Sequence, residues 1–184
     1  VFEQGGRLMY LGGNGLNCEV DLHDNATMTV HNGSITSLWS TGMGGCDSRF
    51  AVRHESEASL LGVVFTPSGA MTGAPYQTVD ADHWVFEGTG LKNGQLFGEA
   101  SLHKRCPGGA SGHETDKRSA SSPANTHVLA RGLNPDDGGA EMVIFETPSG
   151  GRVFSVGSIN YVASLPVDDA ISRVTANVIR KFLK

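Results

Sequence analysis

Seven histidines invite a metal-centre reading, and their spacing tests it. His54-Glu55 lacks the second histidine of a helical H-E-x-x-H zinc motif, and on a strand the two side chains would point to opposite faces. His113-Glu114-Thr115-Asp116 offers three ligand-type side chains on a polar stretch, with ordinary surface residues as the competing reading. Nucleophilic serine chemistry lacks its Gly-x-Ser-x-Gly elbow; Ser111 or Ser158 would need a histidine that the sequence does not place. The loop Gly12-Gly13-Asn14-Gly15 has the composition of a phosphate cradle, but its spacing departs from G-x-G-x-x-G, and a tight turn after a core strand explains the glycines equally well. Glu146 stands at the mouth of an apolar run, where a carboxylate is either a solvated turn residue or a site residue.

A hairpin must position Glu146. Residues 142–145 and 153–156 are nearly continuous apolar runs flanking Thr147-Pro148-Ser149-Gly150-Gly151, where proline fixes φ and glycine accepts positive φ in a reversal. Strands apolar on both sides belong inside a covered sheet. The second arm runs into Gly157-Ser158-Ile159-Asn160 and then a helix, so its loop can face a ligand. Residues 7–11 predict a buried strand entering the glycine loop, 18–22 and 28–31 alternate as short half-exposed strands, and 60–66, 83–86 and 127–130 read as further strands. Residues 76–82 read as a connection and 40–53 as a glycine-rich loop. Residues 103–123 hold too few large apolar side chains to fold alone and either drape on the core or stay mobile. The C-terminus predicts a helix: Val167, Ala170, Ile171, Val174, Val178 and Phe182 share one face, with Asp168 and Asp169 in the first turn and Arg180, Lys181 and Lys184 in the last.

A length of 184 residues suits one domain over 1–184, and 25 glycines favour strands and loops over helix. The formal charge of -5, without a block of like charge, implies neither nucleic acid nor an anionic membrane. The longest apolar run, 60–65, is far too short to cross a bilayer. Cys18, Cys46 and Cys106 form no C-x-x-C pair, which fits reduced thiols and a cytoplasmic protein. Val1 stands close before a strand, so a fragment or processed C-terminal part of a longer chain is expected.

Several blocks follow one another across almost the whole chain: Leu11-Gly12-Gly13-Asn14-Gly15, Gly62-Val63-Val64-Phe65-Thr66, Phe86-Glu87-Gly88-Thr89-Gly90 and Gly108-Gly109-Ala110-Ser111-Gly112-His113-Glu114-Thr115-Asp116. They continue in Phe145-Glu146-Thr147-Pro148-Ser149-Gly150-Gly151, Phe154-Ser155-Val156-Gly157-Ser158-Ile159 and Ser172-Arg173-Val174-Thr175-Ala176-Asn177-Val178. This series resembles the C-terminal part of the N,N-dimethylformamidase large (beta) subunit family. The resemblance implies an α/β fold, a class I glutamine-amidotransferase-like sandwich with a β-rich sheet and the C-terminal helix packed on it. It implies hydrolysis of C–N bonds in small N-substituted amides, or else a catalytically inactive member serving as a binding or assembly domain.

The same resemblance implies a mononuclear iron held by two tyrosines and a glutamate, a hard Lewis acid that polarises a carbonyl and acidifies water. One of those tyrosines lies upstream of this chain. At the second the sequence has Leu16-Asn17-Cys18, and the glutamate's place, Thr41-Gly42-Met43-Gly44-Gly45, holds no acid, so the metal ligands stay unassigned. Glu146 matches an acid that the family keeps near its site, as general base or water-orienting group, with Asn14 expected beside it in catalysis. Asn17, as a neutral oxygen donor, and Asn160 are expected at the substrate, with Asp47 or Glu55 within reach. The implied partners are a small amide substrate and the remainder of a longer chain or another subunit, in a homo- or hetero-oligomer. A true glutamine amidotransferase would need an elbow cysteine and a distant His-Glu pair, a context that all three cysteines lack. The combined expectation is one interior sheet with its working groups on glycine-lined loops at one rim and Glu146 facing inward at them.

Overall fold

The computed structural model describes residues 1–16, 18–31, 55–69 and 71–184. Asn17, the 40–53 loop with Cys46 and Asp47, and His54 lie outside the described residues. Strand β1 (Arg7–Tyr10) is followed by a hairpin of β2 (Val20–Leu22) and β3 (Met28–Val30). A one-turn helix α1 (Ala58–Leu61) leads into β4 (Val64–Thr66), β5 (Gly73–Ala74) and β6 (Tyr76–Thr78). After a 3₁₀ turn at Trp84–Phe86 come β7 (Leu96–Phe97), β8 (Ser111–Gly112) and β9 (Thr115–Lys117). The chain closes with β10 (His127–Gly132), β11 (Glu141–Glu146), β12 (Arg152–Ser155), the short helix α2 (Tyr161–Ser164) and the long helix α3 (Asp169–Phe182).

Six strands form one sheet in the order β1-β12-β11-β10-β6-β7. Strands β1 and β12 run parallel, and every other pairing in this sheet is antiparallel. The two apolar arms pair as the expected hairpin, with Glu146 opposite Arg152. Burial on both faces follows from the alternation of side chains along the strands. Leu129, Met142, Ile144 and Phe154 pack with Tyr76 and with Ile171, Val174 and Val178 of α3; Val128 and Val143 pack on the other side against Leu61 and Val63. The molecule is a sheet-rich α/β fold whose C-terminal helix covers one face. Among the described residues no helix is long and apolar enough to cross a membrane.

Helix α3 forms where the apolar stripe predicts it, and Asp168 caps it by accepting from the Ile171 N–H at 3.0 Å. Val167 lies before the helix and is exposed. Three sequence expectations are corrected. The 60–66 run is not one strand: Leu60 and Leu61 end α1, Gly62 takes the left-handed cap conformation (φ 79°), and the strand begins at Val64. At 83–86 the His83 ring accepts from the Val85 N–H and closes a 3₁₀ turn instead of a strand. The connection read at 76–82 begins with β6, a strand of the main sheet with Tyr76 and Thr78 buried, too short for its alternation to stand out. Residues 103–123 drape on the core, anchored by β8 and β9, which pair with β5 and β4.

Candidate functional site

Where β1 and β12 end side by side, each feeds a glycine-containing loop at the same rim, the place at which parallel strands offer a crevice to ligands. Beyond Tyr10 the chain turns through Gly12, Gly13, Asn14 and Gly15, with Asn14 itself at φ 52°. A Cβ on Gly13 would collide with the main-chain oxygen of Glu114, so only glycine lets this loop lie against the segment entering β9. The loop after β12 joins from the other side: Asp116 N–H donates to the Gly157 carbonyl at 2.8 Å, and Ile159 N–H donates to the Glu114 carbonyl at 3.1 Å.

Asp116 sits where the three segments meet, 1% exposed. Its Oδ1 accepts from the Asn14 N–H at 2.7 Å and its Oδ2 from the Tyr10 hydroxyl at 3.0 Å, while that hydroxyl accepts from the Gly15 N–H at 2.7 Å. Burial, the largest influence, raises the Asp116 carboxyl to about 6; the bonds from Asn14 and Tyr10 oppose the shift and the charge of Glu114 adds to it. Burial and the neighbouring Asp116 push the Tyr10 phenol upward, so it stays a neutral donor. The half-buried His113 and Glu114 stand on the same segment, with His113 Nε2 3.8 Å from Glu114 Oε1 and His113 Nδ1 accepting from the Met71 N–H at 3.2 Å. Chemically, this arrangement is a carboxylate-anchored loop that carries Asn14, with the half-buried acid Glu114 on the adjoining segment.

The residues singled out from sequence separate in space. Asn14 is in this cluster. Asn160 follows β12 on the same side but is fully buried; its Nδ2 donates to the Cys106 and Gly109 carbonyls at 2.7 and 3.1 Å, and its Oδ1 has no partner among the described residues. Asn17 lies outside the described residues. The inward-facing Glu146 is corrected: it pairs with Arg152 at the start of β12, whereas Tyr10 pairs with Ser155 at its end, so Glu146 is at the opposite rim. Its side chain is 60% exposed and accepts from Arg152 Nε at 2.7 Å, in a cleft of about 380 Å³ shared with His83, Trp84, His127 and Lys181. It turns outward because it ends a strand whose buried positions stop at Phe145. Glu55 is exposed. Asp116 and Tyr10 are what residue-type reasoning missed; the His113-to-Asp116 run was the available signal, and nothing in it tells that the aspartate is buried against β1.

A sheet-rich α/β domain with a buried polar cluster where glycine-containing loops meet at the rim of its parallel strand pair is the class these features define. The family model for the C-terminal region of N,N-dimethylformamidase beta subunit-like proteins matches residues 1–175, and the chain belongs to that family. It is 28% identical over 223 aligned residues to the N,N-dimethylformamidase beta subunit of Paracoccus aminophilus, covering 98% of this chain and 29% of that protein. The N,N-dimethylformamidase beta subunit of an Alcaligenes species is 27% identical with the same coverage. The chain thus spans about 29% of the length of these relatives.

Proposed function

We propose that this chain is the C-terminal part of an N,N-dimethylformamidase-like hydrolase of small amide C–N bonds, built on a glutamine-amidotransferase-like sandwich. The observation that carries the reading is the convergence of the Gly12-to-Gly15 loop, β9 and the loop after β12 on the single buried carboxylate of Asp116. In this reading Asp116 is a positioning residue that fixes Tyr10 and the Asn14 main chain. The Asn14 side chain, with Asn17 beside it in sequence, hydrogen-bonds the substrate amide. Glu114 is the carboxylate that takes a proton from attacking water as the C–O bond forms and returns it to the leaving amine nitrogen as the C–N bond breaks. The free Cys18 and buried Cys106 accord with a reducing, cytoplasmic setting.

Iron comes with the resemblance, and the described residues do not fit the expected ligand set. No three His, Cys, Asp or Glu side chains converge among them, and the hydroxyl of Tyr10 is engaged both as donor and as acceptor. No step above runs through a metal. The test uses the full-length protein with N,N-dimethylformamide and related small amides, following the released amine and measuring metal content alongside. Asn14→Ala and Glu114→Gln are each expected to lower turnover by about tenfold or more, equivalent to roughly 1.4 kcal/mol or more of transition-state stabilisation. Wild-type turnover in both would remove the proposed site.

A second reading, an assembly domain, is favoured by the β2–β3 hairpin. Val20 faces Val30 and Leu22 faces Met28 across the pair, and all four side chains are exposed. The polar positions are internally satisfied, by His31 to Asp21 at 2.6 Å and His23 to Thr29 at 2.7 Å. An isolated two-stranded ribbon with one apolar face gains stability from being covered. Leu22→Asp with Met28→Asp is expected to lower the oligomeric mass seen by light scattering; an unchanged mass and an active enzyme would remove this reading.

A further inference from the structure

Next to the Asp116 cluster, at the same end of the sheet, β9, β10 and β11 and the loop between the last two bring three cations and two carboxylates to a cleft of about 320 Å³. Glu141 organises it. This residue is 9% exposed, and its two oxygens are shared between two arginines: Oε2 accepts from the Arg118 N–H and Arg118 Nε, both at 3.0 Å, and Oε1 accepts from Arg131 Nε at 3.1 Å. Arg131 stands opposite Glu141 in the β10–β11 register, and Arg118 directly follows β9, so two different elements fix the two guanidiniums on one anchor. Burial alone would raise the Glu141 carboxyl, but the three donated bonds outweigh it and hold it below the ordinary range, so the anchor is ionised at neutral pH.

Of its guanidinium, each arginine spends only the Nε–H on Glu141. The terminal amino groups of both have no acceptor among the described residues. Lys117 lines the same cleft and is bound through Nζ to the main-chain and side-chain oxygens of Asp137, whose carboxylate is fully solvated. Three cations against two anions leave the cleft positive, and the more exposed anion is screened by water. Two guanidiniums held on a shared carboxylate, each with its terminal N–H groups left over, offer several donors to the oxygens of a small oxyanion, and their mutual repulsion is relieved when one binds.

We propose that Arg118 and Arg131, held together on Glu141, form a binding site for a small oxyanion, a carboxylate or a phosphate, in the cleft they share with Lys117. The site lies outside the Asp116 cluster and stands or falls independently of the amide-hydrolase reading. Calorimetric titration of the full-length protein with formate, acetate and inorganic phosphate, at ionic strength held constant with chloride, tests it. Saturable binding of at least one of the three is expected. Preference for formate or acetate names a carboxylate ligand, and preference for phosphate names a phosphorylated one. Arg131→Gln should weaken that binding about tenfold or more. Arg131→Lys, which keeps a cation opposite Glu141 but loses the fork, should weaken it too, and carries the comparison if Arg131→Gln does not fold. No saturable binding of any of the three anions, or unchanged affinity in the folded variants, would overturn the proposal.

Discussion

A carboxylate buried as Asp116 is makes folding depend on pH in a defined direction. Its carboxyl moves from an ordinary 3.8 to about 6, so between these values the folded chain holds more proton there than the unfolded chain. The stabilisation from neutral Asp116 is therefore complete at low pH and is lost as pH rises through about 6, on the order of 3 kcal/mol. Asp116→Asn, which cannot ionise, should gain stability relative to wild type over this window. Thermal melts of both proteins from pH 4 to 7 check the sign, and a constant gap between them would mean that the carboxyl is not perturbed. Little of this was legible in sequence. The His113-to-Asp116 run looks like polar surface because burial comes from partners about a hundred positions away, Tyr10 and Asn14. Glu146, next to a conspicuous apolar arm, looked more like a site residue than it is placed to be.

Elements were legible where their periodicity ran long enough. The β11–β12 hairpin and α3 follow from apolar patterning over several residues each. The two short strands read at 18–22 and 28–31 form as β2 and β3, but all of their residues are exposed where half-exposure was expected. Strand β6 and helix α1 were misread because three or four residues carry too little pattern, and tertiary pairing decides their state. Two substitutions test how the elements hold the site. Gly13→Ala places a Cβ against the Glu114 carbonyl; a displaced loop and about 1–3 kcal/mol of lost stability are expected, with amide exchange at Asn14 accelerated. Asp168→Ala removes the cap of α3 and should cost about 1 kcal/mol by denaturant titration. It should leave exchange at Asn14 unchanged, because α3 covers the sheet face and makes no bond to the Gly12-to-Gly15 loop.

For the whole molecule, the parallel β1–β12 pair gives the sheet one rim where two loops emerge together, and β9 closes that rim with Asp116. Family membership across residues 1–175 was legible from the order of short motifs, whereas the geometry that joins them was not. Ionised Asp116 accepts from Tyr10 and from Asn14 at once; once protonated, one oxygen carries hydrogen and one of those bonds weakens. Turnover that relies on the anchored loop should then rise with pH through about 6. The most direct test is the pH profile of kcat/KM for amide hydrolysis by the full-length protein and its Asp116→Asn variant. An inflection near 6 in the wild type that disappears in a folded Asp116→Asn protein is the expected result. The same inflection in both proteins would contradict it.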